Sequence, residues 1–246
     1  MKATWSGSLW STNASAVSRR TALLACCTKA LHAANATNVD RIEYDPATST
    51  LRDRAWTGGA DQPVLPGSLV KPFTALAYER THQRFPTVNC KGCWGGKVHG
   101  AVNLPRALAL SCNRYFEKLS QRVDPRQMQL VCAEYGLPEA PDIIDARLGL
   151  GRSWRIPPAA LLQAYLRVTA QHPAIKEGMR LCATQGTARA IGKGLAKTGT
   201  APCEHSKPMP GDGLAIWLWP EDQPRRVILV REHGVPGAIA AKRILT

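Results

Sequence analysis

The 246-residue chain carries 32 lysine and arginine residues against 18 aspartate and glutamate residues, which gives a formal net charge of +14. Hydrophobic residues make up 44% of the sequence, enough for a large core, and no apolar run reaches the roughly 18 residues of a membrane span. The basic residues are scattered and show no nucleic-acid-binding signature, so specific nucleic-acid partners are excluded. The charge instead favours contact with polyanions such as an envelope polymer or a membrane surface.

The N-terminal segment has two interpretations. Arg19-Arg20 precedes a short apolar run at residues 21–27, and Ala34-Asn35-Ala36 could be a cleavage site, so the segment resembles a weak twin-arginine export signal. The favoured alternative is an amphipathic helix over residues 14–34, because apolar residues recur there at helical spacing. On that interpretation the chain carries no convincing signal or anchor.

The remaining elements follow from hydrophobic periodicity and from turn residues. In chain order, the sequence predicts strands at 39–44 and 51–56, a helix at 69–77, helices at 104–119, 125–135 and 157–170, strands at 195–200, 213–219 and 226–231, and a terminal helix at 237–245.

This order predicts the α/β (α+β) class, with an antiparallel sheet formed by both chain ends, flanked by helices, and an inserted all-helical lobe. We expect residues 1–246 to form a single domain. Its sheet lobe would cover about 1–72 and 190–246, and its helical lobe about 73–189. An active site is expected at the seam of the two lobes.

A Ser-x-x-Lys motif lies at the start of the helix predicted at 69–77. Positions i and i+3 share a helical face, so the Lys71 amine is expected beside the Ser68 hydroxyl. A serine needs an adjacent base to act as a nucleophile. Burial and a neighbouring cation, for which Lys197 is a candidate, would lower the pKa of Lys71 enough for that role.

A Ser-x-Asn motif follows at Ser111 and Asn113. The same pattern occurs at Ser11-Thr12-Asn13, but only the second copy lies between the other two motifs. Residues two apart do not share a helical face, so the helix predicted at 104–119 is expected to break here. Ser111 could then relay a proton to a leaving amine, and Asn113 could hold the substrate amide and Lys71.

The third motif is Lys197-Thr198-Gly199-Thr200, on a predicted strand. An extended peptide can pair with such a strand at a sheet edge, and Gly199 leaves room for another backbone. Lys197, Thr198 and Thr200 suit a C-terminal carboxylate, and the N–H groups of Thr200 and Ser68 would form an oxyanion hole. In this order the three motifs are typical of serine enzymes acylated by D-alanyl peptides or β-lactams.

These residues resemble the transpeptidase domain of penicillin-binding proteins, in particular the elongation-type class B members. The resemblance covers about residues 40–245, although the interval from Ser111 to Lys197 is shorter than in that family. The stretches that carry it are Pro66-Gly67-Ser68-Leu69-Val70-Lys71-Pro72-Phe73, Cys93-Trp94, His99-Gly100, Ser111-Cys112-Asn113-Arg114-Tyr115-Phe116, Leu148-Gly149-Leu150-Gly151 and Gly186-Thr187-Ala188.

The resemblance implies a D,D-transpeptidase or carboxypeptidase that acts outside the cytoplasm (in the periplasm or at the cell surface) on D-Ala-D-Ala stem peptides of peptidoglycan. It implies inhibition by β-lactams, cell-wall synthesis proteins as partners, and no required cofactor. Two alternatives stay open: a catalytically idle β-lactam-binding, sensor or scaffold domain, and a serine β-lactamase. Asn113 is the last asparagine, so the Glu-x-x-Leu-Asn segment of class A β-lactamases cannot follow it.

Cys90, Cys93 and His99 form a second constellation. A C-x-x-C pair suits tetrahedral zinc but supplies two ligands, so His99 would be the third. His82, Cys203 or His205 could be the fourth if the fold brings one of them close. Some elongation-type relatives are similar in carrying a metal in this region, which implies a structural zinc. A reversible disulfide and an ordinary loop are the other interpretations.

Overall fold

The computed structural model describes residues 38–53, 55–93, 96–203 and 211–246. The N-terminal helix or signal predicted before residue 38, as well as Trp94 and His205, lie outside the described residues.

Seven strands and eight α-helices lie in the described ranges. The strands are β1 (Val39–Asp45), β2 (Thr50–Asp53), β3 (Val88–Cys90), β4 (Gly100–Val102), β5 (Leu195–Ala201), β6 (Asp212–Trp219) and β7 (Arg226–Glu232). The helices are α1 (Lys71–Glu79), α2 (Leu104–Ala109), α3 (Asn113–Ser120), α4 (Pro125–Tyr135), α5 (Ile144–Leu148), α6 (Pro158–Gln171), α7 (Pro173–Thr184) and α8 (Gly237–Ala240). A 3₁₀ turn precedes α1 (Gly67–Val70), and another follows α8 (Ala241–Ile244).

Five strands form one antiparallel sheet in the order β2-β1-β7-β6-β5. The predicted mixed α/β class, with a sheet assembled from both ends of the described chain, is confirmed. The central strands are apolar on both faces. On β6, Leu214, Ile216 and Leu218 enter the main core, whereas Ala215 and Trp217 enter a smaller core on the opposite face. Both faces are therefore covered, and β5 is left as an edge strand.

Helices fill the region between β2 and β5, with α1 at its centre. Eight of the nine α1 residues are buried, from Lys71 to Tyr78. The buried Tyr165 hydroxyl on α6 donates to the carbonyl of Leu69 at 2.7 Å and so fixes the turn that leads into α1. No helix in the described ranges is long and apolar enough to cross a membrane.

The break expected in the helix at 104–119 is confirmed, because α2 and α3 are separated at Ser111, whose φ of +52° is left-handed. Other features differ from the sequence predictions. The predicted strand 51–56 is the shorter β2. Helices α5 and α7 and the β3–β4 hairpin were not predicted. Helix α5 and the two hairpin strands have only three to five residues, which is too short to show a hydrophobic period.

Candidate active site

The turn containing Ser68 packs directly on β5. A Cβ placed on Gly67 would lie 3.0 Å from the backbone N, C and O of Thr200, and one on Gly199 would lie 3.1 Å from the Ser68 nitrogen. Gly67 also has a φ of +54°, which glycine adopts without strain. The two glycines therefore let the backbone of the Ser68 turn lie directly against the backbone of β5 at Gly199 and Thr200.

Both motif lysines converge on Ser111. The Lys71 amine donates to the Ser111 carbonyl at 3.0 Å, lies 3.5 Å from the Ser111 hydroxyl, and makes a short hydrogen bond to Asn113 Oδ1. The Lys197 amine donates to the Ser111 hydroxyl at 2.9 Å and to the carbonyl of Thr198 at 2.7 Å. The left-handed backbone at Ser111 thus turns its carbonyl and hydroxyl towards the two amines.

Burial sets the charge state of these amines. Lys71 and Lys197 are both fully buried. Burial, followed by the charge of Lys197, lowers the pKa of Lys71 well below its ordinary value. Burial also lowers the pKa of Lys197, to about 8. The pair can therefore hold one neutral and one protonated amine near neutral pH.

Hydrogen bonds from neighbouring segments hold the Lys-Thr-Gly-Thr strand in place. The hydroxyls of Thr198 and Thr187 lie 2.5 Å apart, and the Thr187 N–H donates to the carbonyl of Ala109 at 3.1 Å. The Thr200 hydroxyl accepts the Gly237 N–H at 3.0 Å. These bonds fix both threonine hydroxyls, and sequence reasoning had identified neither Thr187 nor Gly237 as part of this arrangement.

A cleft of about 630 Å³ opens over these groups. Six of the eight predicted catalytic and substrate-binding residues line it: Ser68, Ser111, Asn113, Thr198, Gly199 and Thr200. Lys71 and Lys197 lie beneath its surface and reach it through Ser111. Ser68 is half-buried, and its hydroxyl forms no hydrogen bond with another described residue, so the expected hydrogen bond between Lys71 and Ser68 is not formed. The Lys71 amine is directed to Ser111 and Asn113 instead.

Beside the cleft, the β3–β4 hairpin carries the cysteine–histidine cluster. Sγ of Cys90, Cys93 and Cys112 and a ring nitrogen of His99 all lie within 4.8 Å of one another. Cys90 Sγ lies 3.6 Å from the ring nitrogen Nδ1 of His99. The backbone N–H of His99 also donates to the backbone carbonyl of Cys90 at 3.2 Å. The cluster therefore unites the three predicted ligands with a fourth, Cys112, which lies inside the Ser-x-Asn motif.

Two predicted candidates for a fourth ligand, His82 and Cys203, lie outside the cluster, and the third, His205, is not among the described residues. His82 stacks on Tyr78 with ring centroids 3.9 Å apart, and Cys203 accepts a hydrogen bond from Arg152 at its carbonyl. Sequence reasoning missed Cys112 because its pattern is that of a small buried residue between two polar motif residues.

The cluster has the chemistry of a structural zinc site. Three thiols and an imidazole form a Cys₃His set, which zinc binds tetrahedrally. Burial lowers the pKa of His99, which favours the neutral ring that metals bind. Without a metal, burial raises the pKa of the Cys112 thiol to about 12, so the thiol would stay neutral.

The fold matches solved structures of penicillin-binding proteins. No protein-family model and no curated protein sequence matches the chain. The structure of Pseudomonas aeruginosa PBP2 in complex with WCK 5153 matches with a TM-score of 0.69 and 16% identity over 89% of this chain and 71% of that one. The complex between Helicobacter pylori PBP2 and MreC matches with a TM-score of 0.66 and 17% identity over 84% and 58%.

A third structure is the TP domain of Burkholderia pseudomallei penicillin-binding protein 3, with a TM-score of 0.64 and 16% identity. The alignment covers 89% of this chain and 88% of that domain. This chain thus spans little more than half of the Helicobacter protein but nearly all of an isolated TP domain. At these identities the likeness concerns architecture, and the described chain has the fold of penicillin-binding protein transpeptidase domains.

Proposed function

We propose that this protein is a D,D-transpeptidase or carboxypeptidase that acylates Ser68 on the D-Ala-D-Ala end of peptidoglycan stem peptides. The observation that carries this proposal is the junction of the Ser68 turn with β5, beside two buried lysines that meet at Ser111. This arrangement supports a proposal in which Ser68 is the nucleophile, the N–H groups of Ser68 and Thr200 are the oxyanion donors, and Ser111 relays a proton, which are the groups that acyl transfer requires.

In the acylation step, Lys71 in its neutral form removes the proton from Ser68 Oγ, which attacks the carbonyl carbon of the penultimate D-alanine. The N–H groups of Ser68 and Thr200 stabilise the resulting oxyanion; losing one such donor typically costs about 2.7–4 kcal/mol. When the C–N bond breaks, the leaving amine takes a proton from Lys71 through Ser111. Water or an amine then attacks the ester and releases Ser68.

Substrate binding would use the opposite wall of the cleft. The protonated Lys197 and the hydroxyls of Thr198 and Thr200 suit the terminal carboxylate of the peptide. The edge of β5 offers backbone groups to an extended chain. Asn113, hydrogen-bonded to Lys71, lies where it could accept the substrate amide N–H.

Intact mass spectrometry after incubation with benzylpenicillin tests this proposal, with Ser68→Ala as the matched control. We expect one stable adduct on the wild type and none on the variant. Rapid loss of the adduct with hydrolysed drug would mean a β-lactamase. A folded wild-type protein that acquires no adduct would mean an idle domain and would refute the proposal.

We also propose a structural zinc ion held by Cys90, Cys93, His99 and Cys112. When bound, it would supply rigidity by tying the β3–β4 hairpin to the turn between α2 and α3, whereas acyl transfer itself would require no cofactor. Metal analysis of protein purified without chelators should give about one zinc per chain. A value far below that would contradict the proposal.

The proposed setting is the outer side of the cytoplasmic membrane, where stem peptides are cross-linked, in the periplasm or at the cell surface. One structural neighbour was solved in complex with MreC, and another belongs to a peptidoglycan synthase complex. These support cell-wall synthesis proteins as partners of this chain as well. β-Lactams are the expected inhibitors.

A further inference from the structure

One acidic side chain lines the candidate active-site cleft. Asp145, in the first turn of α5, is the single carboxylate among the described residues around it. The basic lining residue Lys97 and the imidazole of His99 lie on the hairpin side. Asp145 therefore gives an otherwise basic cleft one spot of negative charge.

The position of Asp145 is fixed relative to Ser68. Helix α5 ends at Gly149, where a Cβ would overlap the carbonyl oxygen of Gly67, so the helix end rests on the nucleophile turn. Four residues of helix span ~6 Å along the axis, which puts Asp145 about one helical turn from that contact. The Asp145 carbonyl also accepts the Leu150 N–H at 2.8 Å, and Leu150 lines the same cleft.

The carboxylate is available to a ligand. Asp145 is exposed, and none of the described residues makes a hydrogen bond or ion pair with its side chain. By contrast, the nearby Asp142 is paired with Arg147. An acidic residue in a first helical turn is stabilising by itself, but that role does not require it to face a cleft.

The surroundings of Asp145 suit an aliphatic chain. Leu150, which is partly buried against the core, lines the cleft together with Asp145. A Cβ on Gly151 would lie 3.8 Å from Asp145 Cβ and would touch nothing else nearby. Gly151 thus leaves open space beside the carboxylate, with apolar surface leading to it.

We propose that Asp145 is a specificity-determining residue that binds a primary ammonium group carried on an aliphatic chain by the peptide ligand. This inference rests on the proposed function, because it assigns a ligand feature to the same cleft. The ammonium has two chemical sources: a side-chain amine on the residue that precedes the reacting D-alanine, or the amine of an incoming acyl acceptor.

The test compares two thioester peptides that differ at the residue before the reacting D-alanine, one with lysine and one with norleucine. We expect wild type to be acylated about three- to tenfold faster by the lysine peptide, the range between an exposed and a partly desolvated charge pair. Asp145→Asn should bring that ratio to about one. Asp61→Asn, which removes an exposed charge outside the cleft, should leave it unchanged.

A merely structural role for Asp145 would slow both peptides equally and leave their ratio intact, which would overturn the proposal. The acceptor source is measured separately, as the ratio of aminolysis to hydrolysis when Nα-acetyl-lysine, which carries its amine on an aliphatic chain, is added. A fall of that ratio in Asp145→Asn, without a lysine preference in the wild type, would assign Asp145 to the acceptor amine.

Benzylpenicillin, which carries no amine, separates this inference from the proposed function. Labelling of all three proteins at equal rates, with neither a lysine preference nor a change in aminolysis, would overturn the role of Asp145 and leave the acyl-transfer proposal standing. Failure to label even the wild type would instead refute the acyl-transfer proposal on which the inference depends.

Discussion

Two chemically opposite regions share the tripeptide Ser111-Cys112-Asn113. On one side, Ser111 and Asn113 bind the buried amines of Lys71 and Lys197, and the low pKa values of these amines make proton transfer available. On the other side, Cys112 faces thiols and an imidazole, with a pKa raised to about 12. Burial thus favours the neutral form in both regions, but a neutral amine is a base whereas a neutral thiol is inert without a metal.

The largest effect should come from removing the base on the amine side. Lys71→Met keeps the length of the side chain but cannot accept a proton, and general bases typically contribute about 10²–10⁴-fold. We expect the second-order rate of acylation by benzylpenicillin to fall by that factor, measured by stopped-flow or by mass spectrometry. Zinc content should be unchanged, so a loss of metal in this variant would mean that the two regions are not separable.

A backbone change should also affect the amine side selectively. At Gly149, φ is +72°, and an added Cβ would overlap Gly67 O, so Gly149→Ala must displace the nucleophile turn. A displacement of about 1 Å can cost about 10²-fold in rate. Gly136→Ala is the matched control, because Gly136 has a φ of +69° but nothing within 4 Å of its Cβ position.

The experiment compares the acylation rates of Gly149→Ala and Gly136→Ala, and thermal unfolding reports the stability of each variant. Both should lose stability from the left-handed strain, and only Gly149→Ala should lose acylation. Equal acylation rates in the two variants would show that contact with Gly67 does not set the position of Ser68.

The cysteine side is tested by Cys112→Ala, with Cys132→Ala as the control in another buried site. We expect the zinc content to fall from about one per chain in the first variant only, since a Cys₃His set would lose a ligand. Acylation should fall about 10-fold with it, because loss of a metal-site contact commonly changes activity by about 10–100-fold. A variant without metal that is acylated at the wild-type rate would show that the two regions are structurally independent.

How much of this arrangement could be predicted differs between the two regions. On the amine side, the motifs indicated which residues belong to the site, but the contacts of Lys71 and Lys197 with Ser111 span 40 and 86 residues and depend on the fold. Cys112 could not be predicted as a ligand, because its proximity to Cys90 depends on the β3–β4 hairpin, whose three-residue strands show no periodicity. For the same reason, the sequence did not predict that Asp145 lines the cleft, since its position depends on a five-residue helix.

The pH dependence of acylation should report the two amines separately. Lys71 must be neutral to accept a proton, so the rate rises with pH as Lys71 titrates below its ordinary pKa. Lys197 lies beneath the cleft and must be protonated to attract a carboxylate held at Thr198 and Thr200, so the rate falls again above its pKa of about 8. The profile should therefore be bell-shaped for a carboxylate-bearing substrate.

An ester analogue that lacks the carboxylate supplies the control for that profile. It should keep the rising limb and lose the fall near pH 8. If the fall persists with the ester, Lys197 acts on the reaction through Ser111 rather than through the carboxylate.

The smallest effect is expected at Thr187, whose hydroxyl lies 2.5 Å from that of Thr198. Thr187→Val keeps the shape but removes this hydrogen bond, worth about 1 kcal/mol or about fivefold in rate. The loss should appear with the carboxylate substrate and vanish with the ester, because Thr198 would then have no anion to orient towards. Thr184→Val, on α7 and outside the cleft, should affect neither substrate. Equal losses with both substrates would mean that Thr187 supports the whole strand rather than one hydroxyl of it.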